Sequence, residues 1–144
     1  MSTKNEFRIL GRREGNEDCH VILRGGKQPN YDAASVEAAA KELASAGLAA
    51  HLMIDFSHAN ASKQYQRQVD VAGDVAGQLA RGDERIVGVM VESHLNPGRQ
   101  DLVPGQPLQY GVSITDACIG FAQTVPVLQN LARAVSARRR MGAR

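Results

Sequence analysis

Three ionisable residues recur at one interval, and that interval constrains the fold more than any other feature. Arg24 and His58 are 34 residues apart, and His58 and Glu92 are again 34 apart. Each follows a short apolar run: Val21-Ile22-Leu23, Leu52-Met53-Ile54 and Ile86-Val87-Gly88-Val89-Met90-Val91. Between the runs the periodicity is helical. Asp32 is a fitting N-cap for a helix reaching Ala46, with Val36, Ala40, Leu43 and Ala44 on one face and Gly47 just past its end. Ser62 is expected to cap a second helix whose buried stripe is Tyr65, Val69, Ala72, Ala76 and Leu79, closed by Gly82. A last helix is expected from near Thr124, with Leu128, Leu131 and Val135 inward. Runs apolar on both faces, alternating with amphipathic helices, read as a parallel α/β sheet covered by helices. Three such βα units fit a barrel segment or a doubly wound sheet, and the pattern alone does not separate them.

In a parallel barrel the strand C-termini share one rim, where functional groups gather. Arg24, His58 and Glu92 on that rim suit anion binding and metal ligation, although βα units of ordinary length also produce such spacing. The connection from residue 93 to about 123 carries Pro97, Gly98, Pro104, Gly105, Pro107 and Gly111. Loops beyond about 12–15 residues are usually functional or disordered. Its end, Ser113-Ile114-Thr115-Asp116-Ala117-Cys118-Ile119-Gly120, is too apolar for a loose linker. Asp116 is therefore a candidate ligand beside His58 and Glu92, against the more common role of such a residue as a turn or helix cap. One imidazole and two carboxylates suit a divalent Mn, Fe, Co or Zn ion. Arg24-Gly25-Gly26-Lys27 can bring backbone N–H groups and two cations to a phosphate, or it can be a tight turn with a solvated lysine; it is not a P-loop. His20 and His51 fall at the opposite rim and read as structural. His94 lies on the functional rim.

Composition narrows the partners. Across 144 residues the net charge is +2, too small to argue for nucleic acid. Arg138, Arg139, Arg140 and Arg144 read as the solvated, cationic end of a helix. Cys19 and Cys118 have no metal-type spacing and suit a reducing compartment, with the cytoplasm as the default. No run approaches the roughly 20 apolar residues of a membrane span, and Met1–Phe7 has no apolar signal core, so no membrane partner is expected.

Four blocks carry a family resemblance. Cys19-His20-Val21-Ile22-Leu23-Arg24-Gly25-Gly26-Lys27-Gln28-Pro29-Asn30-Tyr31 resembles a block of the bacterial type I 3-deoxy-D-arabino-heptulosonate 7-phosphate (DAHP) synthases. So do Met53-Ile54-Asp55-Phe56-Ser57-His58-Ala59-Asn60, then Gly88-Val89-Met90-Val91-Glu92-Ser93-His94-Leu95, then Tyr110-Gly111 with Ser113–Gly120. The blocks stand in order and in register, from about Gly15 to Arg140, and residues 1–14 are set apart as an unmatched N-terminal segment before a C-terminal barrel portion at 15–144. The resemblance implies the last three βα units of an incomplete (β/α)8 TIM barrel. It implies condensation of phosphoenolpyruvate with erythrose 4-phosphate, the first step toward chorismate and the aromatic amino acids. It assigns His58, Glu92 and Asp116 to a divalent metal ion (Mn, Fe, Co or Zn), Arg24 to phosphoenolpyruvate, and Lys27 to the same substrate-binding block. The family's fourth ligand, a cysteine, belongs to an N-terminal half that this sequence does not contain; neither Cys19 nor Cys118 matches it. The expected partners are therefore the two substrates and either a homo-oligomer or the missing N-terminal half. Activity of this chain alone is expected to be small or absent.

Overall fold

Short β-rich runs separated by helices pair in parallel, as their both-faced apolar character requires. A computed structural model describes residues 16 and 18–142. The expected N-terminal segment and Arg144 lie outside the described residues. The order is β1 (Val21–Leu23), α1 (Ala33–Ser45), β2 (Leu52–Asp55), α2 (Gln68–Ala80), β3 (Ile86–Met90), β4 (Ser93–His94), β5 (Ile119–Gly120) and α3 (Phe121–Gly142). Strands β1, β2 and β3 form one sheet in that order, all parallel, and β4 pairs with β5 in parallel. The chain is α/β. Among the described residues no helix is long and apolar enough to cross a membrane.

The core lies between one sheet face and the helices. Leu23, Leu52, Ile54 and Ile86 meet Val36 and Ala40 of α1, Val71, Val75 and Leu79 of α2, and Val127 and Leu131 of α3. Alternate strand residues point the other way, and Ile22 and Val87 stand about half exposed, at 50% and 55%. Asp32 caps α1 as expected, accepting from the Ala34 and Ser35 N–H groups at 3.0 Å each. Gly47 and Gly82 take the left-handed conformation that ends α1 and α2.

Four helix expectations are corrected. Ser62 does not cap α2. It and Lys63 are left-handed at φ 51° and 59°, and a 3-10 turn over Tyr65–Arg67 leads into the helix at Gln68. That turn resets the phase, so the buried face is Gln68, Val71, Ala72, Val75, Ala76 and Leu79, while Val69 is exposed. Helix α3 starts at Phe121 rather than Thr124, because the Gln123 side chain turns back to accept from the Gly120 N–H at 3.1 Å. Its inward residues are Val127, Leu131 and Ala134, and Leu128 is exposed. Positions 127 and 128 both sit one turn from Leu131; packing against α2 selects the former.

Candidate metal centre

The site is built where β2 ends. Asp55, the last residue of the strand, is 2% exposed and does two things. Its Oδ1 accepts from the Ser57 N–H at 2.8 Å, which turns the chain out of the sheet. Its Oδ2 accepts from His58 Nδ1 at 2.7 Å, which fixes the ring and leaves Nε2 facing inward. His58 adopts φ 52° to reach this position. Strain of this kind in a residue other than glycine gathers at functional sites.

His58 Nε2 lies 3.7 Å from Glu92 Oε1. The other carboxylate oxygen of Glu92 is held by the Ser57 hydroxyl, which donates to Oε2 at 2.7 Å. The Glu92 backbone is held by the Gln68 side chain at 2.8 and 3.0 Å. Asp116 arrives from the long connection after β4. That segment is ordered by cross-links: Gly98 and Cys118 exchange backbone bonds at 2.8 and 3.1 Å, the Gln100 N–H donates to the Ser113 carbonyl at 2.8 Å, and Arg99 Nε donates to the Thr115 carbonyl at 3.0 Å. Asp116 caps no helix, since α3 begins five residues later. One ligand atom each from His58, Glu92 and Asp116 lie within 4.8 Å of one another. A nitrogen and two carboxylate oxygens at that separation, with the imidazole already oriented, fit a divalent cation.

The three groups open onto a cleft of about 950 Å³ whose wall also includes Arg24, Lys63, Tyr65, Arg99 and Thr115. Arg24 reaches it at the end of β1. The following Gly25 has φ 77°, and a Cβ there would fall 2.7 Å from Ala59 Cβ, so close approach of the two strand-end loops needs glycine. Asn60 ties these loops together. Its amide donates to the carbonyls of Leu23 and Asp55 at 3.1 and 2.7 Å, and its oxygen accepts from the Asn30 N–H at 2.8 Å.

Of the residues singled out in the sequence, His58, Glu92, Asp116 and Arg24 meet at this cleft, whereas Lys27 is exposed and lies outside its wall. His94 donates from Nδ1 to the Gly111 carbonyl at 2.5 Å and so pins the long connection, also outside the wall. Cys118 is buried, and burial pushes its thiol above the ordinary value; its Sγ–H is 3.4 Å from the Asp116 carbonyl. Arg138 is not a merely solvated cation: it donates to the carbonyls of Asp83 and Ile86 at the start of β3. Sequence reading missed Asp55, Ser57, Asn60 and Gln68. Buried polar residues beside a candidate ligand were the available signal, but burial is not legible from residue type.

Residues 1–129 match the DAHP synthetase I family. The Phe-sensitive phospho-2-dehydro-3-deoxyheptonate aldolase of Escherichia coli K12 is 59% identical over 137 residues, covering 95% of this chain and 39% of that protein. The tyrosine-inhibited enzyme of Schizosaccharomyces pombe is 51% identical over 142 residues, covering 95% and 38%. The solved structure of phospho-2-dehydro-3-deoxyheptonate aldolase from Francisella tularensis SCHU S4 superposes with a TM-score of 0.82 at 42% identity, covering 86% of this chain and 36% of that one. The chain thus spans about 39% of the length of the curated relatives it matches.

Proposed function

The chain belongs to the DAHP synthetase I family, and from that premise we propose that it provides the metal-binding part of an enzyme condensing phosphoenolpyruvate with erythrose 4-phosphate to DAHP and phosphate. The observation that carries this reading is the convergence of His58, Glu92 and Asp116 within 4.8 Å, on the cleft that Arg24 lines. His58, Glu92 and Asp116 would hold the ion, Mn, Fe, Co or Zn by donor type. A divalent cation there supplies Lewis-acid activation of a carbonyl oxygen. The chain's own residues do the positioning. Asp55 keeps His58 Nε2 directed inward, Ser57 holds one oxygen of Glu92, and Arg24 offers a guanidinium to an anionic substrate. Lys27, three residues along the loop, is exposed and outside the cleft wall, and its place in the substrate-binding block rests on the resemblance alone. Two phosphorylated substrates need more cations than these. The two free cysteines suit a cytoplasmic setting.

We read the architecture as the C-terminal portion of a (β/α)8 barrel, and a specific observation favours a second reading, a portion that acts only when paired. Helix α3 has a second apolar stripe, Phe121, Val125 and Leu128 at helical spacing, and all three are exposed. Ile22 and Val87 are exposed on the uncovered sheet face. Such surfaces suit the remainder of a barrel, or a homo-oligomeric copy in its place.

Mn²⁺ titration of the purified chain, with a parallel DAHP assay, tests both readings. One Mn²⁺ bound per chain, lost in Glu92→Ala, is the expected result, with no DAHP above the variant's background. Absence of Mn²⁺ binding would overturn the metal assignment. DAHP formed by the chain alone and abolished in Glu92→Ala would overturn the need for a partner.

A further inference from the structure

We propose that Gln68 is a positioning residue of this centre: its carboxamide stands beside Glu92 in place of a β2 residue that was withdrawn to build the site. The proposal rests on the reading of Glu92 as a metal ligand. Strands β2 and β3 stay in register to the pair Asp55 and Met90, and the Phe56 N–H donates to the Met90 carbonyl at 2.9 Å. Along a strand, backbone groups face alternate neighbours. A regular continuation of β3 would turn the N–H of Glu92, two residues beyond Met90, toward β2, although its carbonyl is taken by the Ile119 N–H of β5.

At that level β2 is gone. The chain leaves the sheet at Ser57, drawn by Asp55 Oδ1, and His58 takes its left-handed conformation. This departure is what carries the imidazole to Glu92. It also leaves the Glu92 N–H with no partner on β2, inside the protein, where an unpaired peptide group is unfavourable. Gln68 fills the gap. Its Nε2 donates to the Glu92 carbonyl at 3.0 Å, and its Oε1 accepts from the Glu92 N–H at 2.8 Å. A carboxamide has the donor and acceptor of a peptide unit, so it continues the ladder with a side chain. On the other side, the Ile119 N–H donates to the same carbonyl at 3.0 Å. Gln68 is fully buried at 0% exposure and is the first residue of α2, so its amide is held on a rigid element.

With the backbone clamped by Gln68 and one carboxylate oxygen held by Ser57, Glu92 is left with Oε1 directed at His58 Nε2. Packing alone does not require glutamine here. A methionine would fill similar volume, but only an amide pairs both Glu92 groups. The substitution that isolates this role is Gln68→Met. Val71→Ala, one turn along the same buried helix face, is the control for lost packing.

Two measurements on the 144-residue chain decide the matter. Mn²⁺ affinity should fall about 10–100-fold in Gln68→Met, the range typical of groups that orient ligands, and stay near wild type in Val71→Ala. Amide hydrogen exchange at Glu92, without metal, should be slow in the wild type and fast in Gln68→Met. Gln68→Glu keeps the acceptor and loses the donor, should fall between the two, and serves if the methionine variant does not fold. Unchanged affinity and retained Glu92 protection in the Gln68 variants would overturn the proposal. So would an equal affinity loss in Val71→Ala, which would make the effect one of general stability. A wild-type chain that binds no Mn²⁺ would overturn the metal reading and the positioning role with it. The exchange data would then show separately whether Gln68 pairs the Glu92 backbone.

Discussion

The two ends of the sheet treat charge in opposite ways. Where β3 begins, Asp83, Arg85 and Arg138 are all paired. Arg85 binds Asp83 through Nε at 3.1 Å and through its terminal nitrogen at 2.7 Å, and it also pairs with Glu37. Asp83 and Glu37 together hold the Arg85 guanidinium above its ordinary value. Arg138 reaches across from α3 to the Asp83 and Ile86 carbonyls. Where the strands end, three carboxylates, those of Asp55, Glu92 and Asp116, crowd around a single imidazole, and His58, Ser62 and Lys63 are left-handed. On the reading of the centre as a metal site, the contrast separates charge that stabilises from charge kept free for a ligand. Gathered like charges and strained backbone weaken a fold, and proteins keep them where function needs them.

Substitutions at the two ends should therefore have opposite signatures. The largest effect belongs to Glu92→Ala, which should weaken Mn²⁺ binding by at least about 100-fold, as expected when a ligand itself is removed. Its urea midpoint should shift little, since the loss of its one part-buried side-chain hydrogen bond, from Ser57, is offset by relief of carboxylate repulsion. A large drop in the midpoint would erase the distinction between the two ends. Arg138→Met should do the reverse. Loss of its charged hydrogen bonds should cost about 1.5–3 kcal/mol in urea unfolding, with Mn²⁺ affinity unchanged. Altered affinity there would show that the strand starts are coupled to the centre.

The smallest effect is at α1. Asp32→Ala should cost about 1 kcal/mol, as typical for an N-cap. The Ser35 hydroxyl and N–H hold the Asp32 carboxyl below its ordinary 3.8. A folded value lower than the unfolded one means that this contribution is present above pH 3.8 and is lost as pH falls through the lower folded value. Urea midpoints from neutral pH down into that range should fall more steeply in the wild type than in Asp32→Ala. Parallel curves would remove Asp32 from the account.

Much of this was open to a reader of the sequence because it is local. Helix α1 follows from Asp32, the apolar stripe and Gly47, each acting within a few residues of itself. The three strands follow from apolar runs at even spacing. The start of α2 escaped, because the left-handed Ser62 and Lys63 are imposed by the turn that carries His58 away from β2, which residue type does not announce. The inward face of α3 was set at Val127 rather than Leu128 by contact with α2, a long-range choice between two residues of equal hydrophobicity.

The centre divides along the same line. His58, Glu92 and Asp116 could be picked out in advance as candidates, since imidazole and carboxylates are the groups that bind divalent cations; the regular spacing set the first two at strand ends, and the family resemblance raised Asp116 above the more common role of a turn or cap. That Arg24 meets the cleft while Lys27 and His94 do not depends on how three loops pack. Asp55, Ser57, Asn60 and Gln68 are ordinary polar residues in the linear chain. Only the folded chain buries them and aims them at a ligand or its backbone. Sequence determines what can form within a few residues and which chemistry is on offer. The tertiary structure decides which polar groups lose water together, and it is that loss which obliges them to pair and holds the site in place.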